Sequence, residues 1–381
     1  MNILLIGEYS NFHNSLKQGL IKCGHQVIIA GGRDGFKSLP VDISLNPDVF
    51  QKFPLKPFKL LFYKIFKFDL SVLEVVIRFL IHRKKFKNFD SVQLINEFPF
   101  KTTPFFDRFM LSYIFKYNKN VSLSACGDDY IYISYLLNSK LPYHVLTPYV
   151  TDKSLKENFR YSLRYLRRSH IKLSKYVHSR VKRIIPANID YYMAYKGKPK
   201  VIPIIPFPIN VDKFKYEEPD LEKVITFFHG INTINYTKKG NAFFEKALEK
   251  IKTNYKDQIE INQIRSVPYQ EYITLYNHSH ILLDQTYAYS QGYNALEAMA
   301  KGKVVFTGFS KIFRTYFKLD KEIGIEAVPD SEILYQKMQT LIEKPAKIEE
   351  ISKNARWFVE TYHNYEKVAK NYIAAWGLSK T

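Results

Sequence analysis

The sequence predicts an α/β protein of two doubly wound, parallel-sheet domains facing each other across a cleft. Three observations carry that prediction. Short apolar runs alternate with amphipathic stretches of helical length, the pattern of strands joined by crossover helices. The alternation begins twice, at residue 2 and again near residue 224. The chain has 381 residues, more than one typical core accommodates.

The elements follow in order. "NILLI" (2–6) is an apolar strand ending at Gly7, followed by the polar loop "EYSNFHNS", a helix to about Cys23 and a strand in "GHQVIIA". "SVQLIN" (91–96) and "VSLSA" (121–125) are further strands. They end in Asn96-Glu97 and Gly127-Asp128-Asp129, and ligands of such sheets bind at the carboxyl ends of strands. Two basic stretches interrupt the alternation. Residues 52–87 hold ten Lys and Arg and two acids among many Phe, Leu, Ile and Val. Residues 153–183 hold eleven Lys and Arg and one acid, with Leu155, Phe159, Leu163, Leu166, Leu173 and Val177 at helical spacing. Each stretch reads either as a basic amphipathic helix on an anionic membrane or as a helix whose apolar face packs in its own domain. The shared sign and aromatic content favour the membrane surface.

The proline-punctuated "VIPIIPFPINVDKF" (201–214) and the acidic "YEEPDLE" mark a boundary near 212–222. The alternation then restarts. "VITFFHG" (224–230) is a strand ending at His229-Gly230, "TKKGNAFFEKALEKI" a loop entering a helix, and "IEINQI" a strand. "PYQEYITLYNHS" is a helix and "HILLDQ" a strand, and "YSQGYNALEAMAKGKVVFTG" supplies a helix and one more strand. Residues 331–376 read as helical, closing on Trp357, Phe358, Tyr362, Tyr372 and Trp376. The predicted units are 1–215, 216–355 and a last helix in 356–381.

Charge divides unevenly between them. Residues 1–215 carry 35 Lys and Arg against 15 Asp and Glu, and the remainder is nearly balanced at 22 against 21. Such a field points to an anionic partner of the first domain, whether lipid headgroups, a phosphorylated acceptor or nucleic acid. No recognised nucleic-acid-binding motif accompanies it, so no nucleic acid is expected. No apolar run of roughly 18 residues reads as a membrane span. The chain opens directly as a strand, without a signal-peptide pattern, and its two cysteines, Cys23 and Cys126, suggest buried free thiols. A cytosolic setting is expected.

Two motifs carry chemistry. Lys238 and Lys239 precede Gly240 at a predicted helix start, where ammonium groups beside free helix amides suit a phosphate. The plainer alternative is a solvated turn. In "YSQGYNALEAMA", Gly292 lets backbone approach a ligand, and amides of the turn from Gln291 to Asn294 can point at a diphosphate. Glu297, one turn inside the helix, can accept two hydrogen bonds from a vicinal diol if it faces the cleft. The plainer alternative is a surface glutamate.

With those residues in view, the second half resembles the donor-binding domain of GT-B glycosyltransferases of the retaining Glu-x7-Glu group (group 1, family-4-like). "LEAMAKGKVVFTG" is similar to that family's "EAMA-x-G-x-P-V". "KKG" resembles its pyrophosphate-binding Lys-Gly. "RSVPYQEYITLYNHSHILLDQ" resembles the segment running past the nucleobase to the sugar, and "IPFPINVDKF" its interdomain loop. In the first half, "MNILLIGEYSNFHNSL", "GHQVIIAGG" and "INEFPF" resemble the family's opening βαβ and a strand end near the sugar.

The resemblance implies a GT-B fold, two Rossmann-like domains with the final helix crossing back onto the first. It places Glu297 on a ribose, Lys239 with Lys238 on the diphosphate, and Gln291, Gly292, Tyr293 and Asn294 under phosphates and sugar. His229, Gly230, Arg265 and Val267 fall beside the nucleotide, and Gly7, Glu8 and Asn96 near the reaction centre. Three positions depart from the pattern. Tyr289 stands where the first Glu belongs, Thr233 replaces an arginine, and Val304 replaces the proline. Lys238 or Arg265 is the candidate to replace the missing arginine charge.

The implied activity is transfer of a sugar from a nucleotide-sugar donor, UDP- or GDP-linked, to a cell-envelope glycan or lipid-linked acceptor, with retention and with no metal or cofactor. Should the reaction invert, a carboxylate base is required, and Glu97, Asp128 and Asp129 are the candidates. The basic first domain then places the enzyme peripherally at the inner face of the plasma membrane. The rival is a nucleic-acid binder or an inactive scaffold on the same fold. A dinucleotide dehydrogenase is disfavoured, because "GEYSNF" is not Gly-x-Gly-x-x-Gly.

Overall fold

The computed structural model describes residues 1–32, 39–222, 224–265, 267 and 269–378. Its first domain holds six strands: β1 (Asn2–Ile6), β2 (Gln26–Gly31), β3 (Ile43–Ser44), β4 (Ser91–Leu94), β5 (Val121–Ala125) and β6 (Arg183–Pro186). They pair in the order β3-β2-β1-β4-β5-β6, all parallel. The second domain holds β7 (Ile225–Ile231), β8 (Ile259–Arg265), β9 (Ile281–Leu283), β10 (Val304–Thr307) and β11 (Ile325–Glu326), also parallel, ordered β11-β10-β9-β7-β8. Ile3, Leu4, Leu5 and Ile6 are fully buried, as a strand covered by helices on both faces requires.

Strand order reverses between β1 and β4 in the first sheet and between β7 and β9 in the second. Those switch points open the crevices where ligands of such sheets bind.

The chain crosses between domains twice, through 202–222 and through a π-helical turn, Val359–His363. The two crossings touch where Ile209 and Tyr365 exchange backbone hydrogen bonds with His363 and Ile209. The helix Tyr365–Ala375 then lies on the first domain against the helix Phe12–Lys22. The two backbones come so close that a Cβ at Gly19 would sit 2.2 Å from the Tyr365 carbonyl oxygen. Trp376 anchors the end, its indole donating to Gln93 Oε1 at 3.0 Å.

The basic stretch 153–183 is not one amphipathic helix. It breaks into short turns over 153–166 and a helix Arg168–Arg180, interrupted at Arg167, whose backbone is extended. Phe159, Leu173 and Val177 are buried in the first-domain core, and Leu155, Leu163 and Leu166 pack on it. Its apolar residues are spent internally, which corrects the membrane reading for this stretch. Residues 52–87 behave oppositely, forming helices Leu55–Phe66 and Ser71–His82 with much apolar surface uncovered.

Candidate active site

In the first domain, the strand ends are held by their own polar groups. Glu8, after β1, is buried and accepts from the Asn14 backbone amide (2.8 Å) and side chain (2.7 Å). Gly7, beside it, gives its carbonyl to His13 Nδ1 at 2.6 Å. Asn96, after β4, is fully buried and donates to the carbonyls of Cys126 (2.7 Å) and Asp128 (3.3 Å), pinning two strand-end loops together. Glu97 accepts from the Tyr130 amide at 3.0 Å, and His178 Nε2 stands 3.5 Å from its other oxygen. Asp129 caps the helix Tyr130–Asn138 through the Tyr132 amide (2.7 Å) and accepts from the Tyr195 hydroxyl (2.7 Å). Burial, then the Glu97 carboxylate, push the Asp129 carboxyl well above its usual range.

A cavity of about 510 Å³ opens beside these ends, lined by Glu8, Asn46, Lys101 and the inner side of the 55–82 helical hairpin.

In the second domain, the loop after β9 gathers the phosphate-binding candidates. Lys239 Nζ lies 2.8 Å from Asp284, which also accepts from Thr307 Oγ1 (3.0 Å). The Lys239 carbonyl accepts from the Thr286 amide at 2.9 Å. Gly240 follows at φ +70°, where a Cβ would lie 2.1 Å from Thr286 Oγ1, so only glycine fits this turn. Gly292 has ordinary extended backbone and heads the helix Tyr293–Ala300 without a side-chain cap. A Cβ there would meet nothing nearer than Gln285 Nε2 at 4.0 Å, so the backbone at Gly292 is open to close approach. Residues 284–287 thus bring Lys239, the Gly240 turn and the amide end of a helix to the switch point of the second sheet. Glu297 lies half-buried on that helix, close enough to Lys301 to raise the lysine's pKa against the burial that lowers it.

Three sets of contacts cross the cleft. Lys238 Nζ reaches Asp128 of the first domain at 2.9 and 3.2 Å, and Ser162 hydrogen-bonds the same carboxylate. Burial alone would raise the Asp128 carboxyl, but Lys238, Ser162 and Arg164 hold it below its usual range. Tyr289 stacks on Tyr143 (5.0 Å, 7°) and donates to the Tyr143 carbonyl at 2.9 Å. Buried Asp190 accepts from the Tyr289 amide (3.0 Å) and from the Ser290 hydroxyl. The Tyr293 hydroxyl donates to the Pro208 carbonyl (2.5 Å) beside Ser15 Oγ (2.6 Å).

The predicted site residues therefore separate. Lys238, Lys239, Gly292 and Asn294 gather at the crevice, with Glu297 one turn further along the helix. Asn96, Gly7, Glu8 and Asp129 shape the first domain's strand ends from within. His229 is fully buried on Asn241 Oδ1 (2.9 Å), and burial pushes its imidazole down to about 4. Gly230 leaves room for the Tyr272 ring, 2.7 Å from where a Cβ would sit. Buried Gln291 donates to the Gly308 carbonyl at 2.7 Å. Half-exposed Arg265 pairs with Glu245 on the helix Asn241–Asn254. Val267 is half-buried beyond β8. Tyr289 and Tyr293 belong to the domain seam. The sequence reading missed Asp190, Tyr143, Ser162 and Asp284, whose partners lie too far along the chain to show in any local pattern. Among the described residues, no group of three or more His, Cys, Asp or Glu is placed to hold a metal ion.

Comparison with known proteins places this geometry. Residues 231–374 match the family model described as glycosyl transferase-like. No curated protein matches the chain. Among solved structures, sucrose-phosphate synthase from Thermosynechococcus elongatus aligns over 100% of both chains with TM-score 0.59 and 15% identity. HepE from Anabaena, in complex with UDP and glucose, aligns over 99% of each chain with TM-score 0.57 and 12% identity. A glycosyltransferase from Rickettsia africae aligns over 98% of this chain and 97% of its own, with TM-score 0.52 and 14% identity. At such identities the likeness is one of fold, and the fold is GT-B. With a glycosyl transferase-like match across its second domain, the protein is a glycosyltransferase by class.

Proposed function

We propose that the protein moves a sugar from a nucleoside-diphosphate sugar to a glycan or lipid-linked acceptor of the cell envelope, held by the first domain. The observation that carries this is the meeting of Lys239, the Gly240 turn and the uncapped amide end of the helix Tyr293–Ala300 at one switch point. Cationic and amide donors gathered there suit the diphosphate of a departing nucleotide. They would stabilise charge that develops as the glycosidic bond breaks. Glu297 then takes the ribose diol. The complexes of Anabaena HepE with UDP and glucose support uridine as the base.

Lys238 is held by Asp128 until a diphosphate competes for it. Asp128 is kept ionised well below neutral pH, so it is a weak base, and Glu97 and Asp129 are engaged in capping their own domain. That favours retention, with the departing phosphate oxygen accepting the acceptor's proton and no protein base required. We assign the chain to the Glu-x7-Glu group on Glu297 and the Lys-Gly turn, with Tyr289 diverted to the seam. The basic first domain suits an enzyme working peripherally at the inner face of the membrane.

A thermal-shift screen of UDP, GDP, ADP and their sugars tests the reading. Ligand at about 100 times its Kd stabilises by about 2.7 kcal/mol, a shift of a few degrees for a chain this size. No shift with any nucleotide diphosphate overturns the proposal.

A further inference from the structure

The helical hairpin Leu55–Phe66 and Ser71–His82 carries more uncovered apolar surface than the fold accounts for. In the first helix only Lys59 is buried, while Phe58, Leu61, Ile65 and Phe66 are all more than half exposed. The second helix is apolar on two faces. Val75, Val76 and Phe79 point into the domain, while Leu73, Ile77, Leu80 and Ile81, spaced to share the opposite face, are exposed. Phe53, just before the hairpin, is 88% exposed. Patches of this extent on a soluble chain mark an interaction site.

Charge identifies the occupant. Exposed Lys52, Lys64, Lys67, Arg83, Lys84 and Lys85 flank the patch. The hairpin's two acids offset little of this. Glu74 is buried, capping the amides of Val49 and Phe50 and pairing with Arg78, which leaves the exposed Asp69, bonded to Ser71, as one surface carboxylate against six cations. Apolar side chains rimmed by an excess of lysines match an anionic lipid surface, with the aromatics entering the acyl boundary and the ammonium groups meeting headgroup phosphates.

We propose that this hairpin docks the enzyme on an anionic bilayer, as one defined element rather than through the basic domain at large. The inner side of the same hairpin, with Lys56, Asp69, Ser71 and Val72, lines the cavity of about 510 Å³ that reaches Glu8. Docking therefore puts that cavity at the lipid interface, where a membrane-held acceptor presents its polar head. This step rests on the transfer reading; the docking itself does not.

The test is co-sedimentation of the full chain with vesicles of phosphatidylcholine, with and without phosphatidylglycerol. Binding is expected only with the anionic lipid. Phe58→Ser with Ile65→Ser and Ile81→Ser should abolish it. Lys64→Gln with Lys67→Gln and Lys84→Gln should weaken it roughly a hundredfold, at about fivefold per lysine near the surface. All six positions are exposed, so both variants should keep the wild-type Tm. Equal binding to both vesicle types, or binding unaffected by the serine substitutions, overturns the proposal. So does a lipid-free dimer that the serine substitutions convert to monomer, since the patch would then cover a second copy. UDP-induced stabilisation is read on the same variants. If it is absent throughout while anionic vesicles still bind, the transfer reading fails and the docking stands.

Discussion

Asp128→Asn separates two roles for the carboxylate that spans the cleft. Asp128 takes both short contacts from Lys238 and one from Ser162, with side chains 19% and 27% exposed for the acid and the lysine. Asparagine keeps the shape and one acceptor and removes the charge. A pair this exposed lies between surface ion pairs, at about 0.2–1 kcal/mol, and buried ones, at about 3–5. We take about 1.4 kcal/mol, because Lys238 can turn to water when released. If the pair competes with a diphosphate for Lys238, its loss tightens UDP binding by about tenfold. Turnover should then change by less than tenfold. If Asp128 is a general base, kcat falls by about 10² to 10⁴ and nucleotide affinity stays put. Calorimetric titration with UDP, alongside slow hydrolysis of the donor in the absence of acceptor, reads both. An unchanged Kd with a hundredfold loss of turnover refutes the competition for Lys238.

Further outcomes follow from the same geometry. Glu297→Gln should weaken UDP binding by about 10- to 100-fold, the cost of roughly 1.5–3 kcal/mol for bonds to a charged acceptor, with Tm unchanged; equal affinity would remove Glu297 from the ribose. Tyr289→Glu, which restores the family's missing carboxylate, should lower Tm and add no activity. It discards the stack on Tyr143, worth about 0.5–1.5 kcal/mol, and sets a second acid beside Asp190; a gain in turnover would return position 289 to the sugar. His13 is held neutral by burial, its pKa pushed down to about 3 against its bond to the Gly7 carbonyl. That folded value lies below the unfolded 6.5, so only the unfolded chain binds this proton between them, and stability falls as pH drops through the window. At pH 4.5 the His13 share is about 2–3 kcal/mol. In His13→Asn the fall in Tm from pH 7 to 4.5 should shrink, and an identical pH profile would exclude His13 as its source.

Much of the frame was legible locally. β1, β5, β7 and β10 are apolar runs buried on both sides, and their burial follows from composition alone. β3 and β11, two residues each, offer too little periodicity to detect. β6, "RIIP", hides behind a basic helix and ends in proline. The stretch 153–183 misled because helical spacing of leucines does not say which surface they meet. Its leucines meet the first-domain core, while the apolar residues of Leu55–Phe66 and one face of Ser71–His82 look outward.

What the sequence by itself determined is the alternation of strands and helices and the motifs around Lys239 and Glu297. Those depend on neighbours within a turn or a strand, where local sterics and hydrogen bonding decide. Tertiary structure alone decided what the remaining charges do. Asp128 lies 110 residues from Lys238, and Asp190 lies 99 from Tyr289. Their contacts follow from two sheets folding face to face, which gives a candidate base an ion-pair partner and sets Tyr289 in a seam between domains. A charge's environment is set by whatever the fold brings within a few ångströms, and no local pattern records that.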